Sequence, residues 1–282
     1  MPSHKRLHSR SEAKLDQPAI VKRPKRTLKP KEKSLVERIN ALSVAQFYDQ
    51  FFPPSVAGTV GSPTNLHITL STWKEMSSPF REACVDLLKL TSRDHYHSSE
   101  KGWSRAKKLK EMGHPAMKYL LLRPVPAAPP TVKEGKLAGP EQTEGFLSFM
   151  ITEEDRSEVI YCYELHLQPS LQGKGVGRRM MEVMEMIGSR VGVEKAMLTV
   201  FRSNDRAVEA YERWGYRVDD FSPEPRKLRD GTVKEPSYVI LSKGREGFAR
   251  EERAHEQNDP GGLSKSADEN VTDNKTASAQ HG

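Results

Sequence analysis

Cysteine is nearly absent from this chain. Cys84 and Cys162 are the two it has in 282 residues. They show no metal-type spacing and no disulfide framework. Long apolar runs are missing too: no stretch reaches the roughly 18 residues that a membrane helix needs, and no secretory leader opens the sequence. The expectation is a soluble intracellular protein with no membrane partner. Asn270-Val271-Thr272 and Asn274-Lys275-Thr276 match the glycosylation pattern, which means nothing without a secretory route. Asp94-His95-Tyr96-His97 lacks further ligands at metal spacing, so no metal is expected. The dinucleotide fingerprint and the Walker loop are also absent: Gly173, Gly175 and Gly177 are followed by Arg178, Arg179 and Met180, which fits neither.

What is present is unevenly spread. The chain carries a formal net charge of +7 and 35% hydrophobic residues, enough for one globular domain plus tails. Residues 1–33 are rich in Lys, Arg and Pro, and residues 244–282 in Glu, Asp, Ser, Asn, Lys and Gly. Neither end has a periodic apolar face, so both read as disordered tails, basic and polar respectively. The folded domain is then 34–243. Within the first tail, Lys22-Arg23-Pro24-Lys25-Arg26 is either a solvated segment or a signal for nuclear import or for a polyanion such as DNA or ribosomal RNA.

The elements of the domain follow from pattern. Ser34–Gln50 reads as one helix. Another opens at Ser77-Ser78-Pro79-Phe80 and runs to about Arg93, and a basic one covers Ser104–Met112. Met117–Leu122 and Gly145–Thr152 read as strands, with Pro124–Pro140 an exposed loop between them. Glu153-Glu154-Asp155 is an acidic turn leading into the strand Val159–Leu167, which ends before Pro169. Ala196–Phe201 is a buried strand, and Tyr216–Asp219 and Ser237–Ser242 close the domain around a turn at Arg229-Asp230-Gly231.

Gln172-Gly173-Lys174-Gly175-Val176-Gly177 joins a strand to an amphipathic helix, whose apolar face is Met180, Val183, Met184, Ile187 and Val191. Free N–H groups at the helix start, together with its dipole, favour an anion there. The glycines allow close approach, and Lys174, Arg178 and Arg179 add charge. The loop should hold a pyrophosphate. Just upstream, Glu164 sits in an otherwise apolar and aromatic strand. Partial desolvation there would raise its pKa and make it a better general base. A structural Glu bonded to Arg or backbone is the other reading. Alternation along an unbroken strand separates Tyr161 and Tyr163 from Cys162 and Glu164, so Tyr163 and Glu164 share a site only if a bulge breaks it. Asn204 reads as a helix N-cap. Cys162 reads as an inert buried thiol.

The Q-x-x-G-x-G loop resembles the acetyl-CoA pyrophosphate loop of the GNAT superfamily of N-acetyltransferases. Asn204, Ala207 and Tyr211-Glu212-Arg213-Trp214-Gly215-Tyr216 resemble a later motif of the same superfamily. The resemblance implies an α/β fold with a mixed central sheet flanked by helices, and acetyl-CoA as acetyl donor. It would place Gln172, Gly173, Lys174, Gly175, Val176, Gly177 and Arg178 on the pyrophosphate and Asn204 on the pantetheine arm. Tyr211 would be either the acid that reprotonates the thiolate or a packed helix tyrosine.

A narrower resemblance rests on Tyr161-Cys162-Tyr163-Glu164-Leu165, Met197-Leu198-Thr199-Val200-Phe201, Asp219-Asp220-Phe221-Ser222-Pro223, Ser237–Ser242 and Tyr96–Trp103. These runs resemble the histone-specific N-terminal acetyltransferases of the N-alpha-acetyltransferase D family. The implied substrates and partners are the Ser-Gly-Arg-Gly tails of histone H4 and histone 2A. Glu164 would be the base and Tyr163 its neighbour. Tyr161, Tyr163, Thr199 and Tyr238 would line the peptide slot, with Tyr96 and Trp103 at its mouth. Leu165, His166 and Leu167 would meet the acetyl and pantetheine end through backbone groups. Glu153, Glu154 or Asp220 would pair the substrate Arg. The loop departs from animal members, which carry two basic residues where Gln172-Gly173 stand. Further expectations are a monomer, nuclear and cytoplasmic location, and ribosome contact through the basic tail. Lysine or small-amine acetylation, or a non-enzymatic chromatin or ribosome-binding module, are the alternatives.

Overall fold

The computed structural model describes residues 33–54, 66–100, 102–124 and 143–248. The expected basic tail with its Lys22–Arg26 cluster, most of the Pro124–Pro140 loop, and the polar tail beyond Phe248 lie outside the described residues.

Two short helices come first, α1 (Leu35–Asn40) and α2 (Val44–Phe51), where one was expected over Ser34–Gln50. The reason is a second start signal. Ser43 caps α2 and Gln46 returns the bond, repeating the capping box that Ser34 and Glu37 make on α1. Strand β1 (Leu66–Thr72) follows and has no counterpart in the expectations, although Leu66, Ile68 and Leu70 alternate with polar neighbours. Helix α3 (Ser78–His97), capped by Ser77, runs one turn past the expected end. Helix α4 (Arg105–Met112) and strand β2 (Lys118–Pro124) come next.

Strands β3 (Gly145–Glu154) and β4 (Ser157–Leu167) form a hairpin. Its turn is not the expected acidic run: Glu153 and Glu154 belong to β3, and Asp155 and Arg156 turn the chain with φ of 44° and 66°, the left-handed pair of a tight two-residue hairpin. A 3₁₀ turn (Pro169–Leu171) leads to α5 (Val176–Val191), then β5 (Lys195–Phe201) and α6 (Asp205–Arg213). The last strands are β6 (Arg217–Val218), the small hairpin β7 (Arg226–Lys227) and β8 (Val233–Lys234), and β9 (Tyr238–Gly244). The ordered chain passes the expected boundary at Lys243: residues 245–248 are helical and Phe248 is buried in the core.

The main sheet has the order β1-β2-β3-β4-β5-β9-β6 and is mixed. Among its described pairs β4 and β5 alone run parallel, because α5 carries the chain back across the sheet. Period-two alternation divides the strands between two cores. On one face Leu120, Leu122, Leu147, Phe149 and Ile151 meet Ile39, Phe47 and the apolar side of α5. On the other, Tyr119, Leu121 and Phe146 meet Phe80, Cys84, Leu87 and Leu88 of α3 and Met112 of α4.

One buried charge ties the first of these layers together. Glu185 of α5 accepts from the Tyr216 hydroxyl at 2.8 Å and from Lys243 Nζ of β9 at 2.8 Å. Burial and the adjacent carboxylate push the Tyr216 phenol well up, so its hydroxyl stays a donor. Replacing Glu185 by Leu takes the shared carboxylate away from a buried ammonium, a change that typically costs about 3–5 kcal/mol. Denaturant titration should show that loss for Glu185→Leu and a smaller one for Glu185→Gln, whose amide oxygen still accepts.

Candidate active site

The site begins with one extra residue. Between β3 and β4 the register runs Leu147↔Leu165, Ser148↔Glu164, then Phe149↔Cys162. Tyr163 has no partner of its own, so it is the bulge on which a shared Tyr163–Glu164 site depends. Cys162 stays in the core under α5. Tyr163 packs on the α3 side, and Glu164, one residue on, reaches Tyr96 and Lys108 on that side as well. Beyond the bulge β4 also leaves its parallel neighbour. The β4–β5 pairing stops at Cys162↔Leu198, so residues 163–167 and 199–201 face a gap between the two strands.

Three groups surround the Glu164 carboxylate. Lys108 Nζ donates to Oε1 at 2.6 Å, and the Tyr96 hydroxyl donates to the same oxygen at 3.2 Å. His166 Nε2 lies 2.7 Å from Oε2, and its Nδ1 is 2.6 Å from the Thr91 hydroxyl of α3. Lys108 also reaches Glu111 Oε1 at 2.7 Å. This overturns the expected electrostatics. Burial pushes the Glu164 carboxyl up, but the Lys108 ammonium and the His166 hydrogen bond outweigh it and hold the group at about 2. The strand pattern could show the desolvation; it could not show a lysine from a helix 56 positions away. Lys108, Glu111 and Thr91 are therefore functional neighbours that the sequence did not reveal. His166 takes part through its ring rather than its backbone alone.

A cavity of about 360 Å³ opens at this point. Of the residues expected in the site, Tyr96, Glu154, Tyr161, Tyr163, Glu164, Leu165, His166, Thr199, Asn204 and Tyr211 line it, joined by Lys108 and Glu111. The Tyr161 hydroxyl and Thr199 Oγ1 are 2.6 Å apart and bridge β4 to β5. Tyr163 is pushed up to about 12 by burial and by nearby Glu154, Tyr161 and Glu111. Tyr211 is buried and pushed well up, which disfavours a phenolate and makes it a hydrogen-bond donor rather than a ready acid. Asn204 Oδ1 accepts from Ala207 N at 3.3 Å, capping α6.

Other expected residues stand off this wall. Trp103 sits edge-on to Tyr96, ring centres 5.5 Å apart. Tyr238 faces Phe201 across β5–β9. Glu153 is exposed opposite Glu158 in the hairpin. Asp220 is exposed, while its neighbour Asp219 holds Lys195 at 2.6 Å. Leu167 lies in the core against Gly145 and Gly177.

The glycine loop lies beyond the cavity wall, at the end of β4. Gly173 and Gly175 have φ of 74° and 80°, which side chains rarely adopt, and the space where their Cβ atoms would stand is open. Gly175 is the N-cap of α5 and offers no side chain to the first N–H groups, which point outward without intrahelical acceptors. Gln172 donates to Leu167 O at 3.2 Å and braces the loop. The expected charge is partly committed: Arg178 and Arg179 both pair with Glu182, at 2.9 and 3.5 Å. The loop suits a diphosphate held by backbone N–H groups, with Val176 and Gly177 in the first turn and Lys174 exposed beside it. Among the described residues no group of three metal-ligating side chains occurs, and no helix is long and apolar enough to cross a membrane.

The Glu164 network has a pH signature. A carboxyl held below its ordinary value near 4.5 adds stability above that value and loses it as pH falls towards about 2. The difference in melting temperature between the wild type and Glu164→Gln should be full above pH 5 and shrink steadily below pH 4.5. A difference that stays constant down to about pH 2.5 would contradict the ion pairing.

Comparison with known proteins bears on this region. Residues 140–216 match the Acetyltransferase (GNAT) family, a span that holds the β3–β4 hairpin, the glycine loop, α5, β5 and α6. N-alpha-acetyltransferase 40 of Saccharomyces cerevisiae is 35% identical over 101 residues, 28% of this chain and 34% of that protein. Mycothiol acetyltransferase of Propionibacterium freudenreichii is 38% identical over 74 residues, 26% of this chain and 24% of that one. The chain thus spans about a third or less of the length of these relatives. The crystal structure of PaiA N-acetyltransferase from Thermoplasma acidophilum with coenzyme A is 18% identical, covering 64% of this chain and 98% of that one at a TM-score of 0.41. The mixed sheet flanked by helices is the GNAT fold, and residues 140–216 are similar to the Acetyltransferase (GNAT) family.

Proposed function

We propose that this chain is an N-terminal α-amino acetyltransferase that uses acetyl-CoA and acts on the Ser-Gly-Arg-Gly tails of histone H4 and histone 2A. The observation that carries this reading is the cavity beside the β4–β5 gap, where a carboxylate on a bulged strand meets four tyrosines and two further glutamates. The likeness to a yeast N-alpha-acetyltransferase supports the same choice of amine. Nuclear and cytoplasmic location, a monomeric state, and ribosome contact through the basic tail belong to the same proposal.

Each residue then has a task. Gly173, Gly175 and the first turn of α5 hold the diphosphate, and the open strand edge from Tyr163 to Leu167 orients the pantetheine end. When bound, acetyl-CoA supplies an activated acyl group. Glu164 Oε1 takes the proton from the peptide α-amine, so that the nitrogen lone pair is free. Tyr211, which lines the cavity and stays protonated, would offer a hydrogen-bond donor to the bound cofactor. Tyr161, Tyr163 and Thr199 narrow the slot to small first residues. Glu154 offers a carboxylate to the Arg at the third position. The mycothiol acetyltransferase relative favours a second reading, a small-amine substrate; product analysis separates the two.

Ser-Gly-Arg-Gly peptide should be acetylated on its α-amine, and the same peptide with a blocked N-terminus should not turn over. Equal turnover of the blocked peptide through lysines would overturn the α-amine reading. Glu164→Gln should lower kcat by about 10²-fold or more, the scale of a lost general base, with acetyl-CoA affinity nearly unchanged. Gly175→Val forces a branched residue to a left-handed φ and should weaken CoA binding about tenfold or more by calorimetry in a folded protein.

A further inference from the structure

The chain has already placed a cation of its own where a substrate amine would be received. Lys108 Nζ lies between two carboxylates on different elements, 2.6 Å from Glu164 Oε1 and 2.7 Å from Glu111 Oε1. It also stands 4.9 Å from the centre of the Tyr96 ring. A carboxylate beside an aromatic face is the environment that attracts an ammonium ion. The two ends of this bridge differ. Glu164 is 8% exposed and Glu111 is 42% exposed, so one carboxylate is deep and the other is at the rim. Lys108 and Glu111 are three residues apart on α4, so their pairing survives when the ammonium swings outward.

Building on the acetyl-transfer reading above, we infer that Lys108 is a positioning residue that neutralises Glu164 until a cationic amine enters, and then moves onto Glu111. The charges on the cavity wall agree with this. Glu111, Glu154 and Glu164 face one lysine, so a second cation can enter without like-charge excess. An ammonium has three donors and no fixed plane, so it can change partners by rotation of a flexible stem. The move also restores basicity. With Lys108 on Oε1 the carboxylate is a poor proton acceptor; with Lys108 on Glu111, burial raises it. One proton then passes from the amine nitrogen to Glu164 Oε1, and Lys108 keeps its own three. Among the described residues, the other groups near Glu164 are Tyr96 from α3, Tyr119 from β2, His166, Cys162 and Tyr163 from β4, Ser148 from β3 and Tyr211 from α6. None of them is a second fixed cation.

The test is a double-mutant cycle read by binding and by titration. Ser-Gly-Arg-Gly affinity is measured by calorimetry for the full chain, Glu111→Gln, Lys108→Met and the double variant. Glu111→Gln removes the resting place, so the peptide must compete with Lys108 for Glu164; its affinity should fall about tenfold. In the Lys108→Met background the same change should have little effect. Equal losses in both backgrounds would mean that Glu111 contacts the peptide directly and would overturn the role of Lys108. Carbon-13 titration of the Glu164 carboxyl in the same proteins, without peptide, gives a readout that packing alone would not move. Its midpoint should rise by more than one pH unit in Lys108→Met. It should stay low in Glu111→Gln, which sits at the rim and should fold normally. An unchanged midpoint in Lys108→Met overturns the inference. Absence of peptide binding by the unaltered chain overturns the proposed substrate, a separate failure that the titration distinguishes.

Discussion

A single unpaired residue in β4 sets the chemistry of this domain. If the strand kept its alternation through Tyr163, Glu164 would follow Cys162 into the core beneath α5 and would meet only apolar side chains. The bulge moves it to the α3 side, opposite Ser148. There Tyr96, Lys108 and His166 can reach both of its oxygens. The parallel pairing with β5 ends at the same place. A bulge adds local twist, and twist is what parts two parallel strands whose other neighbours hold them in register. One irregularity therefore supplies both the face for the carboxylate and the gap beside it.

The parts of this arrangement that could be read from the sequence are those carried by local chemistry. The glycine loop, the apolar stripe of α5 and the Asn204 cap each need only a few neighbouring residues, and the structure has a loop, a helix and a cap at those places. The bulge itself could be stated only as a condition, because alternation shows where a side chain should point and not where a strand skips a partner. The second helix start at Ser43 is a Ser-x-x-Gln signal that lies within a longer helical pattern and is masked by it. Strand β1 is a short signal of seven residues, too brief to be told from a loop by pattern alone. The pairing of Glu164 with Lys108 lay beyond any local reading. A lysine on a strongly basic helix reads as one more solvated charge, and only the packing of α4 against the sheet makes it a buried one.

The pairing also shows why the expected direction of the Glu164 shift was wrong. Desolvation is indeed its largest single influence. A carboxylate in an apolar strand is usually raised for that reason. But burial strengthens the attraction of any cation that arrives with it, since both interactions grow as water is excluded. The same low-dielectric setting that would make Glu164 a base makes Lys108 an effective suppressor of it. How basic the group is thus depends on the Lys108 ammonium and the His166 ring together, and not on burial alone.

Charge on this chain works at two scales. The whole molecule is basic, at +7, and would repel a cationic histone tail if long-range field decided binding. In physiological salt that field decays over about 8 Å, so distant lysines and arginines count for little inside the cavity. What an incoming ammonium meets there is Glu111, Glu154 and Glu164 against one lysine, beside Tyr96, Tyr161 and Tyr163. If the proposed function holds, selection for a cationic peptide rests on contact rather than steering. The salt dependence of peptide binding should be shallow for a cation paired with buried Glu164 and steeper for one paired with Glu111 at the rim, since buried pairs are screened far less than exposed ones. The same reasoning separates the domain from its basic tail: a polyanion held by the Lys22–Arg26 cluster would be lost steeply as salt is raised, while the acetyl-acceptor site would keep its ligand.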